Sequence, residues 1–141
     1  MIFHINRMTF KSGLSEEQRR ACLEVARQAG AANPAVKSYV VGPELGGEWD
    51  YSAVYVVEDL DGYWAYLTHP AHVRQEMEGI PLIEKFAAID VTDSDDPKIG
   101  EKIAALQARH LRESPELAAR EAQAPSFTVP GPSAAGRQAE A

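Results

Sequence analysis

Residues 2–10 alternate: Phe3, Ile5, Arg7 and Thr9 take one side, and His4, Asn6, Met8 and Phe10 take the other. Successive side chains of a strand face opposite ways, so a strand that is partly apolar on both sides predicts a sheet covered on both faces. Every later element has to supply one of those covers. Lys11-Ser12-Gly13 reads as a turn, and Ser15 with Gln18 three residues on has the capping-box spacing. Cys22, Val25, Ala26 and Ala29 then share one helical face until Gly30, predicting a helix over 15–29 with Gly30 as its stop.

A second strand is expected from Val36 to Val41 and a third, rich in aromatic and β-branched residues, from Tyr51 to Val57. Their closeness predicts a hairpin. Asp59 or Asp61 can cap a helix through Tyr63, Trp64 and Leu67. Pro70 then breaks the crossover in two. Proline suits the first position of a helix and pushes the residue before it out of helical geometry. His69 is therefore a break point or N-cap, and His72 falls in the first turn of the next helix, where the macrodipole favours a neutral imidazole. Lys85 to Val91 reads as the last strand. The order β-α-β-β-α-β is that of a ferredoxin-like α+β protomer with helices on one sheet face. Phe3, Ile5 and several Val and Tyr side chains would leave the other face an apolar patch, and a face-to-face homodimer covers it.

After residue 92 the character changes. Asp96-Pro97 predicts the start of a helix that carries Ile99, Ile103, Leu106 and His110 on one stripe and ends near Glu113; Ser114-Pro115 restarts the signal to about residue 122. The expected organisation is a domain over residues 1–92, a helical extension over 93–123, and a disordered tail over 124–141 that is rich in proline and poor in charge. Residues 1–96 hold 8 basic and 16 acidic side chains. An acidic domain without a basic stripe argues against nucleic acid and anionic membranes as partners. The first seven residues lack the basic start and long apolar core of a signal peptide, and one cysteine, Cys22, allows no internal disulfide. A cytoplasmic protein is expected.

Three stretches together carry a resemblance: Met1-Ile2-Phe3-His4-Ile5 with Thr9-Phe10-Lys11 and a capped helix, the strand Tyr39-Val40-Val41-Gly42, and the run from Ala65 to Val73 with its Tyr-x-x-His-Pro-x-His segment. The chain resembles the stress-responsive A/B barrel domain family, also called dimeric α+β barrel proteins, over about residues 1–92. The resemblance implies that two sheets pair into a barrel. Some members of that family are polyketide cyclases that close a linear polyketone by intramolecular aldol condensation. In that branch the site positions correspond here to His4, Tyr66 and His72. A third-strand histidine of that branch falls here at Ala53 or its neighbour, a departure from the pattern.

An aldol cyclase needs a base to remove a proton beside a carbonyl and a donor for the developing oxyanion. His72 is the expected base, Tyr66 its orienter or a donor to the substrate oxygen, and His4 a second donor or base. Asn6 beside His4, His69 at the corner, Tyr63, and Trp49 between acidic and glycine-rich neighbours are expected to contact the substrate. The expected function is cofactor-independent acid–base chemistry on a small carbonyl-bearing molecule. Two other readings use the same pocket: a ligand-binding or stress-response dimer without catalysis, and a cofactor-free monooxygenase, which shares the barrel shape. No metal is expected. His69, His72 and Glu76 have ligand spacing, but residue 69 precedes a helix-starting proline, so the two rings need not converge, and no cysteine pair supports them.

Overall fold

The computed structural model of the protein describes residues 1–128. Strand β1 (Ile2–Phe10), helix α1 (Glu16–Ala31), the hairpin of β2 (Ser38–Pro43) and β3 (Tyr51–Val57), helices α2 (Leu60–Thr68) and α3 (Pro70–Gly79), and strand β4 (Ile83–Thr92) follow in the expected order. This is a ferredoxin-like α+β fold. Helices α4 (Ile99–Arg112) and α5 (Pro115–Gln123) and a short strand β5 (Ser126–Thr128) form the C-terminal extension. The sheet order is β2-β3-β1-β4-β5, antiparallel throughout except for the parallel β4–β5 pair.

Local signals explain the element boundaries. Ser15 and Gln18 form the reciprocal capping box of α1, and Asp59, not Asp61, caps α2 through Gly62 N–H. His69 caps α3: its Nδ1 accepts from Ala71 N–H at 3.1 Å, and Pro70 opens the helix. Gly30 does not stop α1, which runs on to Ala31. Its role is contact, because a Cβ there would collide with the Tyr39 ring. Helix α4 begins at Ile99, two residues later than Asp96-Pro97 suggests. Asp96 folds a turn ahead of the helix, its Oδ1 accepting from Lys98 N–H at 2.9 Å.

The inner sheet face carries Ile2, His4, Asn6, Met8 and Phe10, all buried, against a core that includes Tyr55, Tyr63, Tyr66 and Leu67. Helices α1 and α3 pack side by side, while α4 lies against α2 and α5 against α3, so the extension joins the same helical layer. Part of the outer face stays bare: Phe3, Val40, Ile89 and Val91 are between 43% and 67% exposed. Ser126–Thr128 departs from the expected disorder of residues 124–141. Phe127 stacks on Phe86 at 4.4 Å between ring centroids, and the three residues pair with Lys85–Ala87. Burying that ring and satisfying backbone groups along the β4 edge outweigh the composition of the segment. Residues 129–141 lie outside the described residues. Among the described residues no helix is long and apolar enough to cross a membrane.

Candidate functional site

The register of β1 builds the site. His4 lies opposite Tyr55 on β3 and Asp90 on β4, and residues directly paired across a sheet share a face. Asp90 Oδ1 sits 2.8 Å from His4 Nδ1, with the two side chains 7% and 3% exposed. A carboxylate only accepts, so Nδ1 carries the hydrogen and Nε2 is left for the cavity that His4 lines. Tyr63 extends the pair. Its hydroxyl donates to Asp90 Oδ2 at 3.1 Å, accepts from Gln107 Nε2 at 2.9 Å, and lies 3.1 Å from His4 Nδ1. Burial, then the charge of Asp90, raises the Tyr63 phenol above its ordinary range and keeps it a neutral donor.

The cavity between sheet and helices has a volume of about 60 Å³. His4 and Asn6 form part of its sheet wall, Gln75 and Glu76 with His72 its helical wall, and Gln107, Glu121 and Phe127 bring the extension into it.

His72 and Tyr66 stand together, their ring centroids 4.4 Å apart, and Tyr66 is 5.5 Å from His4 by the same measure. The structure thus brings His4, Tyr66 and His72 into one cluster. Tyr66 is fully buried behind the cavity lining, and burial holds its phenol well above the ordinary range. Neither its hydroxyl nor either ring nitrogen of His72 has a hydrogen-bond partner among the described residues. Burial lowers the pKa of His72 to about 4 against the pull of Glu76. Glu76 Oε1 lies 3.0 Å from His72 Nε2, off the line of a hydrogen bond, and accepts from His110 Nε2 at 2.8 Å. For His110 burial alone would lower the pKa, but the hydrogen bond and charge of Glu76 carry it upward. Burial and the charge of Glu76 push the Glu121 carboxyl up to about 7.

Of the other expected contact residues, Asn6 lines the cavity and Tyr63 braces His4 from behind it. His69 is spent on capping α3 and lies outside the lining. Trp49 is buried elsewhere, its ring beneath Lys85 Nζ at 4.4 Å and the Arg7 guanidinium at 5.3 Å, because the loop before β3 folds over the sheet rather than over the helices. Sequence reasoning missed Asp90, Gln107 and the pairing of Glu76 with His110. Asp90 shares a strand face with Ala88, and the cross-strand register with His4 is the signal that identifies it.

The family model described as the stress responsive A/B barrel domain matches residues 2–93. The chain belongs to this family. Solved structures agree on the fold. A dimeric ferredoxin-like protein of unknown function from Thermobifida fusca is 26% identical, with a TM-score of 0.59, covering 64% of this chain and 89% of that one. The hydroxynitrile lyase from Passiflora edulis is 17% identical, with a TM-score of 0.59, covering 66% and 94%. SnoaB, a cofactor-independent oxygenase from Streptomyces nogalater, is 15% identical, with a TM-score of 0.53, covering 67% and 93%. No curated protein matches the chain. The family match ends at residue 93, so Gln107, Glu121 and Phe127, which line the cavity, and His110, which meets Glu76, lie outside the matched residues.

Proposed function

We propose that this A/B barrel protein is an acid–base enzyme acting on a small carbonyl-bearing molecule, with His4 as base. The observation that carries the reading is the buried His4–Asp90 pair at 2.8 Å, whose free imidazole nitrogen is left for a cavity. In this reading His4 Nε2 takes the proton beside the carbonyl, Asp90 steadies the imidazolium that forms, and the Asn6 amide, on the same strand face, donates to the enolate oxygen. Tyr63 fixes Asp90 in place. His72 is less suited to the role of base than the sequence suggests, because a group with pKa about 4 is a weak proton acceptor at neutral pH. The fold hosts a lyase in Passiflora edulis and a cofactor-independent oxygenase in Streptomyces nogalater. Both names support chemistry on this fold.

The active unit in this reading is a homodimer joined through the outer sheet face, as the dimeric Thermobifida fusca protein and the exposed Phe3, Ile89 and Val91 support. Ile89→Glu with Val91→Glu should convert it to monomers in light scattering; a double variant that stays dimeric would place the contact elsewhere.

Proton abstraction can be followed without knowing the natural substrate. Small ketones and β-diketones incubated with the protein in deuterated buffer should exchange their α-protons faster than in buffer alone. Asp90→Asn and His4→Gln should reduce that rate by about 10²- to 10⁴-fold. Ketones that bind in the cavity without any acceleration would leave a ligand-binding dimer as the function.

A further inference from the structure

Across the cavity from His4, a second cluster is not used by that chemistry. His72 and Glu76 are one turn apart on α3, which puts them on the same helical side, and α4 brings His110 to meet them. One ligand atom from each lies within 4.8 Å of the others. Glu76 Oε1 is the hub, 2.8 Å from His110 Nε2 and 3.0 Å from His72 Nε2. Two imidazole nitrogens and one carboxylate oxygen are the donor set of three-ligand zinc sites and of the facial triad that holds iron(II).

A Glu76–His110 ion pair alone would account for two of the three residues. It leaves His72 unexplained. That ring is 4% exposed, neither of its nitrogens has a hydrogen-bond partner, and Nε2 lies 3.0 Å from the shared carboxylate oxygen without the alignment of a hydrogen bond. A buried donor or acceptor left unmatched costs about 1–3 kcal/mol, so native structures supply it with a partner. Nearest-neighbour separations near 3 Å are already close to those between ligands around a single small cation. Small rotations of the imidazoles would complete the approach.

We infer that His72, Glu76 and His110 form a binding site for one divalent first-row transition-metal ion of the zinc class. Hard cations such as magnesium and calcium, which prefer all-oxygen shells, are disfavoured by the two nitrogens. His72 and Glu76 line the cavity, so the coordination positions not taken by protein open onto it, with Glu121 nearby as a further carboxylate. The site needs His110. It therefore belongs to this chain's extension and not to the A/B barrel domain as such. The ion and the His4–Asp90 pair occupy opposite walls, and metal binding stands or falls independently of the proton-transfer reading.

The test is direct binding to untagged full-length protein stripped with chelator, using zinc in calorimetry and cobalt(II) as an absorbing substitute. One zinc per protomer is expected, with a cobalt spectrum of low-coordinate, nitrogen-containing type. His110→Ala and the near-isosteric Glu76→Gln should each weaken zinc binding by at least about tenfold. His69→Asn, which keeps an N-cap but removes an imidazole outside the cluster, should leave it unchanged. Circular dichroism of each variant checks that the fold persists, and Glu76→Gln is the variant best able to preserve it. Absence of saturable zinc binding in the wild type, or equal losses in His69→Asn and Glu76→Gln, overturns the site and leaves an ion pair beside a hydrated histidine. Neither result touches the deuterium-exchange assay of His4, whose failure would leave zinc binding in place.

Discussion

Tyr63→Phe removes one oxygen atom from the middle of the buried network and tests whether that network holds the extension to the domain. The hydroxyl satisfies Gln107 Nε2 at 2.9 Å and Asp90 Oδ2 at 3.1 Å. Gln107 is 8% exposed and the Asp90 side chain 7%, so neither regains full solvation when the oxygen goes. Each stranded group costs about 1–3 kcal/mol, and with some rehydration from the cavity the sum is about 2–4 kcal/mol. The ring itself stays, so no cavity contribution is added. Urea denaturation at a fixed protomer concentration should show a midpoint lower by about 1–2 M. The sign of the double variant is the sharper check. Gln107→Leu in the Tyr63→Phe background removes one of the two stranded groups, so the pair should be less destabilised than the sum of the single changes. A Tyr63→Phe protein within about 0.5 kcal/mol of wild type, or a double variant whose losses simply add, would refute the claim that this hydroxyl bridges strand and extension.

Titration of His72 gives stability a defined slope. Its folded pKa of about 4 lies below the unfolded value of 6.5, so between those values the unfolded chain binds a proton that the native site rejects. Stability should be complete above pH 6.5 and fall as the pH drops toward 4, by about 2 kcal/mol between pH 7 and pH 5. His110, whose pKa is raised beside Glu76, works in the opposite sense. The comparison is therefore the urea midpoint in chelator of wild type against His72→Gln, and parallel pH profiles would refute the assignment. Burial, aided by Glu78, pushes the Cys22 thiol up to about 11 from 9.0. Native protein should react with iodoacetamide about 100-fold more slowly than unfolded protein at pH 8, measured by mass spectrometry; equal rates would show the thiol to be open to solvent.

The alternation of β1, the capping box at Ser15 and the break at Pro70 are local signals, and each determines its own element without help from distant residues. The α+β order was legible for that reason. The cluster of His4, Tyr66 and His72 was legible through the family resemblance, while the working partners of those residues were not. Asp90 reads as an ordinary polar residue between Ile89 and Val91 until the strand register sets it against His4. Glu76 was weighed with His69, three residues before His72, but His69 turns to cap its helix. The histidine that reaches Glu76 comes from 34 residues away. His110 continues an apolar helical stripe, which a sequence reader takes as core-facing with no way to name its partner. Trp49 illustrates the opposite error. Glycine-rich surroundings suggested a substrate contact, whereas two cations pin its ring elsewhere.

The parallel pairing of β4 with β5 has a consequence for how such a chain can change. Two parallel neighbours cannot be joined by a tight hairpin, and here the connection is made by α4 and α5. These helices pack on α2 and α3, so among the described residues the appended α-α-β segment adds its helices to the helical layer and its strand to the edge of the sheet. The opposite surface of the sheet, with Phe3, Ile89 and Val91, is left unaltered. The lining of the cavity can thus be remodelled by lengthening or redesigning the C-terminal segment while the exposed sheet face stays as it was. The two properties are modular, free to drift independently under selection or in the hands of a protein engineer.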